Sequence, residues 1–322
     1  MTNLPGDSGP RTAVIALGGN ALARAGERAT IANQFRHTRE SLGPIVELAL
    51  TGWRMALVHG NGPQVGDELA RNELTRGRLE PLPLGVLVAG TAGWIGYMIQ
   101  QSLQNALARR GSRREVVTLI TQTLVNAGEA GELLPSKPIG HALTDADAER
   151  LRQAGESVGR DGAGSWRRLA RSPLPTDIVE APLVRRLVND GVVVIAAGGG
   201  GPPVYLDPGL GLEGVEAVVD KDRTAAVLAA ELGSEVLLIL TDVAGVHSGW
   251  GTPSARLIPR LSQSGAESLL DGPELGTGSM RPKVEAAVAF LRDGGRRAVI
   301  AHLDEGLAAL AGRAGTTITR DG

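Results

Sequence analysis

"VVIAAGGGGPPVY" (residues 193–205) is an apolar, β-branched run that ends in four glycines and two prolines. Its first half reads as a buried strand. Its second half suits no regular element, because glycine is costly to order and proline brings no N–H. The same ending recurs along the chain. "TAVIAL" (12–17) runs into Gly18, Gly19 and Asn20, and "RMALVH" (54–59) runs into Gly60, Asn61 and Gly62. "EVVTLITQTLV" (115–125), "SEVLLILTDV" (234–243) and "RRAVIAHL" (296–303) are further strand-like runs. Helical patterns separate them: about 30–50 closed by Gly52, about 64–76, and "GWIGYMIQQSLQNALARRG" ending at Gly111. The strands are continuously apolar instead of alternating, as expected when both faces are covered. Strand and helix in alternation then give a mostly parallel sheet sandwiched between helices.

Composition narrows the function. The chain has 322 residues, 42% hydrophobic and 21% charged, with a net charge of -2. Nothing in that balance attracts nucleic acid or an anionic membrane. There is no cysteine, which removes disulfides, thiolate metal sites and thiol nucleophiles. The five histidines are scattered singly, and no protein-held metal is expected. The opening "MTNLPGDSGPR" has no apolar signal region, so a disordered segment over 1–11 and a cytoplasmic protein are expected. Residues 126–175 are rich in Gly, Arg, Glu, Ser and Pro with a weak apolar pattern, and read as a lid-like insertion.

In an open α/β sheet, ligands bind beyond the carboxyl ends of the strands. A glycine pair after one strand is ordinarily just a tight turn. Three such ends in one sheet read together as a seat for phosphate, approached by bare N–H groups and helix N-termini. The P-loop pattern is missing. "HGNGPQVG" is a loose relative of the dinucleotide fingerprint but lacks the ribose-binding acid, which leaves a nicotinamide oxidoreductase as a weaker reading.

Among 33 basic residues only three are lysine: Lys137, Lys221 and Lys283. One explanation is a general preference for arginine; the other is that these positions need a compact point charge. Lys221 lies between Asp220 and Asp222 before an Ala/Leu-rich helix, with Asp222 available as cap or first-turn acid. Lys283 falls in the first turn of another helix, with Ser279 as candidate cap and Pro282 preset for entry. Lys137 is pinned in "LPSKPIGH" at the root of the insertion. Such a set suits phosphoryl transfer, which needs positioning and charge neutralisation more than a covalent nucleophile. Magnesium would then ride mainly on nucleotide phosphates and water.

At this point the motifs resemble a known family. "VIALGGNAL", "LVHGNGPQVG", "SKPIG", "VIAAGGGGPPV", "EAVVDKD" and "GSMRPKVEAA" are similar, in order over nearly the whole chain, to carbamate kinases of the amino acid kinase superfamily. The resemblance implies a three-layer αβα sandwich over 12–322 with a protruding subdomain, usually as a homodimer. The apolar face of the helix over 93–108 would suit the interface. It implies reversible transfer between ATP and carbamate, giving ADP and carbamoyl phosphate. Gly18, Gly19, Asn20, Gly60, Asn61 and Gly62 would hold the carbamate and the transferred group. Lys137 would close over them, and Lys221 and Lys283 would neutralise phosphates with Asp220 orienting them. Gly199, Gly200, Thr241, Asp242, Val243, Trp250, Met280 and Pro282 would frame the nucleotide.

The chain departs from the pattern at the insertion, at Ala244, His247 and Trp250, and at Arg223 and Arg281, which replace small or apolar residues beside two of the lysines. A related kinase for another small carboxylate or amide, and a nucleotide sensor without turnover, are the alternatives.

Overall fold

The computed structural model describes residues 11–19, 27, 30–275 and 279–321. The expected disordered start, Arg11 excepted, and Asn20 lie outside the described residues.

From the start, β1 (Thr12–Leu17) leads to α1 (Ile31–Ser41), α2 (Gly43–Leu50), β2 (Arg54–His59), α3 (Gly62–Thr75) and the long α4 (Leu84–Arg109). Next come β3 (Val116–Thr118), β4 (Thr123–Val125), α5 (Ala127–Glu132), β5 (Lys137–Leu143), α6 (Asp145–Gln153), β6 (Val158–Arg160), β7 (Trp166–Ala170) and β8 (Pro175–Ile178). The chain continues through α7 (Ala181–Asn189), β9 (Val193–Ile195), β10 (Pro203–Asp207), β11 (Gly211–Gly214), α8 (Lys221–Glu231) and β12 (Val236–Thr241). It closes with β13 (His247–Ser248), β14 (Arg256–Leu257), β15 (Arg260–Ser262), α9 (Gln263–Asp271), α10 (Met280–Arg292), β16 (Arg297–His302), α11 (Gly306–Leu310) and β17 (Thr316–Thr319).

The main sheet has eight strands in the order β15-β17-β16-β12-β1-β2-β9-β3. Its pairings are parallel except that β17 runs against β16. Alternate residues of the central strands enter different cores. Val14, Ala16, Val58 and Ile239 face Ala225, Leu228, Val284 and Phe290 of α8 and α10. Ile15, Leu17, Leu57 and Leu238 face Ile45 and Leu48 of α2 and Ile95 and Ile99 of α4. That is the αβα sandwich, and it explains why the strands read as unbroken apolar runs. No helix of the described residues is long and apolar enough to cross a membrane.

Three boundaries differ from the sequence pattern, each for a local reason. The helix expected over 30–50 is two helices. Thr30 caps the first, its hydroxyl accepting from Asn33 N–H at 3.2 Å, and Pro44 forces a new start because it cannot donate within a helix. The long helix begins at Leu84 instead of near Gly93, since Leu84, Leu87, Val88 and Ala92 extend its buried stripe upstream. The run 115–125 is cut into β3 and β4, which belong to different sheets. Between them Thr121 leaves the ladder, and its hydroxyl accepts the Ala197 N–H at 2.9 Å.

Within 126–175, β5, β7 and β6 form a separate three-stranded sheet with α6 beside it. Ile139 and Ala170 pack with Val65 of α3 and Leu84 and Val88 of α4. Gly66 of α3 and Gly140 of β5 (φ 74°) meet backbone to backbone, and a Cβ at Gly66 would overlap Gly140 Cα. Around this contact Arg168 pairs with Glu73, Arg150 reaches Glu73 at 3.5 Å, and His141 meets Asp67 at 2.9 Å. Gly66→Ala is therefore expected to lift the small sheet off α3 at a cost of about 1–3 kcal/mol. Limited proteolysis should show faster cleavage within 126–175 while the main sheet stays protected; unchanged cleavage would refute the contact's importance.

Candidate active site

The carboxyl ends of β1, β2, β9 and β12 share one edge of the main sheet. The chain passes from β1 to β2 on one side and reaches β12 on the other only much later, so β1 is the topological switch point where α/β sheets open a binding crevice. Gly18 N–H donates to Leu240 C=O at 3.0 Å, and Gly60 N–H donates to Leu17 C=O at 3.2 Å, which draws the three strand ends together. A Cβ on Gly60 would stand 3.3 Å from both Gly19 N and Lys221 Cδ. The lysine stem thus lies along Gly60, across the ends of β1 and β2. A Cβ at position 60 would make the stem give way by a few tenths of an ångström.

α8 begins at Lys221. Asp220 is its N-cap: one carboxylate oxygen accepts from Asp222 N–H at 2.9 Å and Arg223 N–H at 3.3 Å, and the other takes the Lys137 ammonium at 2.6 Å. One side chain therefore starts the helix and holds the lysine delivered by the small sheet. Asp222, 2% exposed, receives Lys221 at 2.5 Å on one oxygen and Lys283 at 3.1 Å on the other. Lys283 also donates to Ser279 C=O at 3.1 Å. All three lysines meet two carboxylates at a single helix start.

Of the two roles open to it, Asp222 takes that of first-turn acid and pairs with Lys221 and Lys283; Asp220, expected to orient those two lysines, is the cap and holds Lys137 instead. The N-cap must lie just before the helix with extended backbone, and Asp220 does (φ -75°, ψ 122°), leaving Asp222 to face inward from the first turn. Ser279 acts through its carbonyl, with no side-chain cap hydrogen bond.

Electrostatics follow from burial. Burial opposes ionisation of Asp220, but the Lys137 and Lys221 ammonium groups outweigh it and hold the carboxyl well below the usual range. Burial pushes the Lys221 ammonium down from its ordinary value, and Lys283 adds to that while Asp222 and Asp220 resist it. His59, at the end of β2, is pushed down to about 4, chiefly by burial, and its Nδ1–H donates to Gly60 C=O at 3.0 Å.

The glycine run of the opening strand has a different occupation from a bare phosphate seat. Residues 198–201 form a buried tight turn after Ala197, itself left-handed at φ 49°. A Cβ on Gly198 would stand 2.5 Å from His59 Nε2; on Gly199, Gly200 and Gly201 it would strike Asn61, the Val219 carbonyl and the Thr123 hydroxyl. The turn is glycine because the chain packs on it from every side. It braces Val219 just ahead of α8, and Gly200 C=O accepts from Thr224 Oγ1 at 3.1 Å and Thr123 Oγ1 at 2.7 Å. Asn61 is likewise turned inward, donating to Thr91 Oγ1 at 2.9 Å. Gly62 opens α3, and Thr241, bonded to Asp242 at 3.1 Å, ends β12 beside Val243. Met280 and Pro282 lie in the first turn of α10 with Lys283. Trp250 is exposed and packs on His247, 5.2 Å between ring centroids, apart from the lysine cluster's contacts.

A mostly parallel sheet with lysines gathered at its carboxyl edge, on helix starts and an inserted sheet, suits phosphoryl transfer. Residues 11–302 match the Amino acid kinase family. The chain is 41% identical to a carbamate kinase of Pyrococcus horikoshii over 96% of this chain and 99% of that one. It is 39% identical to the carbamate kinase-like protein YqeA of Escherichia coli, covering 95% and 98%. A carbamate kinase from Giardia lamblia bound to AMP-PNP superposes with a TM-score of 0.88 at 34% identity, over 97% of this chain and 99% of that one. The chain belongs to the amino acid kinase family, among its carbamate kinases.

Two outcomes follow from the charges. Asp222→Asn leaves Lys221 and Lys283 adjacent with no shared carboxylate, which lowers the Lys221 pKa further; the alkaline fall of the rate should move to lower pH, and an unmoved limb would remove Asp222 from this role. His59 is neutral when folded down to about pH 4 but titrates near 6.5 when unfolded, so the unfolded state binds the extra proton between those values. Stability should therefore fall as pH drops through that window, by up to about 3 kcal/mol, and His59→Gln should flatten the fall in a denaturant titration at each pH.

Proposed function

We propose that the chain catalyses reversible transfer of the γ-phosphoryl group of ATP to carbamate, giving ADP and carbamoyl phosphate. The observation that carries this is the linked set Lys137–Asp220 and Lys221–Asp222–Lys283 over the ends of β1 and β2. A carbamate oxygen attacks the γ-phosphorus, the bond to the β–γ bridging oxygen breaks, and its electron pair leaves with ADP. Carbamate is already an anion, so no general base is required. What the site must supply is positive charge held in line with the transfer.

Lys221, lying along Gly60, meets the phosphoryl group in transit, with Gly18, Gly19, Gly62 and Asn20 completing the seat for carbamate. Lys283 neutralises the nucleotide phosphates. Lys137, carried by the small sheet as a lid, closes over the acceptor when Asp220 receives it. Thr241, Asp242, Val243, Met280, Pro282 and Trp250 frame the nucleotide, and the turn at Gly199 and Gly200 supports that side. Asp220 and Asp222 are engaged by ammonium groups, so magnesium fits on the nucleotide phosphates, where it supplies further charge neutralisation. The apolar residues of α4 within 93–108 that were expected to form a dimer face, Ile95, Met98, Ile99 and Leu103, are buried against the main sheet; two copies would have to pair on the outer side of α4, where Tyr97 is half exposed. ATP supply suits the cytoplasm.

A related acceptor is the second reading, favoured by the comparable identity to a relative named only as carbamate kinase-like. ATP formation from ADP and carbamoyl phosphate with Mg²⁺ tests the first. Lys221→Ala and Lys137→Ala should each lower kcat by about 10²–10³, the scale of losing one preorganised donor. A loss under threefold would count against both assignments. No ATP from a folded wild type that binds ADP would favour the second reading, to be pursued with a panel of small carboxylates and amides.

A further inference from the structure

Lys221 and Lys283 sit on different helices, and their spacing is set by how the starts of α8 and α10 are joined. One joint is the buried Asp222. The other lies one turn outward. Arg223, two residues beyond Lys221, reaches Glu285 Oε2 at 2.5 Å; Arg281, two residues before Lys283, reaches Glu285 Oε1 at 3.6 Å. Arg281 also donates to Leu270 C=O at 2.5 Å, which ties the end of α9 into the same joint. Arg223, Arg281 and Glu285 are each only about one-quarter to one-third exposed, so this is not a freely solvated surface pair.

We infer that Glu285 is a positioning residue for phosphoryl transfer: by holding Arg223 and Arg281 on its two oxygens it fixes the lysine-bearing helix starts relative to each other. Charge points the same way. Lys137, Lys221, Lys283, Arg223 and Arg281 face Asp220, Asp222 and Glu285. Without Glu285, two guanidinium groups would repel each other and the neighbouring ammonium groups, and the helix starts would part. The bridge touches neither substrate in this reading; it acts through the lysines. A misplacement of about 1 Å at a transferring group is enough to slow it greatly.

The inference rests on the carbamate kinase reading, and the test separates the two. Glu285→Gln, Arg223→Gln and the double variant are compared with wild type for ATP formation, ADP affinity by calorimetry and thermal midpoint. Each single change should lower kcat about five- to tenfold with ADP affinity altered less than threefold, and the double variant should be no worse than the poorer single one, because both open the same bridge. Glu285→Asp, which keeps the charge, should recover part of the loss. A kcat within twofold of wild type in either single variant, or losses that multiply in the double, would overturn the inference while leaving the reaction in place. So would a fall in thermal midpoint with kcat unchanged, which marks a merely structural tie. If Glu285→Gln does not fold, Arg223→Gln carries the same expectation from the other end of the bridge. A wild type that binds ADP but makes no ATP would instead sink the reading of the reaction, and the inference with it.

Discussion

Two ammonium groups brought side by side in a crevice repel each other, and each loses hydration as it is buried. Asp222 resolves this by giving one oxygen to Lys221 and the other to Lys283 from inside the first turn of a helix. Much else is arranged around that carboxylate. The N-cap at Asp220 fixes where the helix begins and so where Asp222 points. The turn over 198–201 packs against Val219 immediately before it. α10 is oriented so that Lys283 can arrive from the opposite side. Removing one partner of such a buried pair is costly, on the order of 3–5 kcal/mol, because the others are left uncompensated.

The small sheet adds a third cation, and Ile139 and Ala170 seat it on Val65, Leu84 and Val88 in a cluster apart from the two main cores. Its approach is limited by one backbone contact, Gly66 on Gly140, and by ion pairs along α3. Lys137 stands at the very start of β5, so its reach to Asp220 depends on that docking. Helix α3 therefore links two events: it begins at Gly62, beside the proposed carbamate seat, and its next turns carry the sheet that delivers the lysine.

The layered fold was legible because strands buried on both faces leave a continuous apolar signature, as in "VLLILT" of β12. The lysines were legible because there are only three among 33 basic residues. Break points were less so. The stretch 30–50 read as one helix because Pro44 sits inside an unbroken helical pattern, and the cut at Thr121 depends on a hydroxyl meeting an N–H from 76 residues away. The acid pair Asp220 and Asp222 was visible as a pair, yet which one caps is decided by helix phase, a matter of one residue. Arg223 and Arg281 stood out as departures; Glu285 lay within the quoted GSMRPKVEAA, but that it pairs with both arginines shows only when the two helices are set side by side.

The four glycines show how one sequence feature can be right about place and incomplete about cause. Glycine at a strand end permits a ligand to approach bare N–H groups, and equally permits the chain itself to do so. Here the chain does: His59, Asn61, Val219 and Thr123 occupy the space that side chains would take. Gly60 is the contrasting case, for there the space is taken by the stem of Lys221. A guanidinium fork is wider and planar, whereas an ammonium on a slim stem can lie along that glycine and still give one donor to Asp222 and others outward. That geometry explains why, in a chain with only three lysines among its 33 basic residues, position 221 keeps one of them.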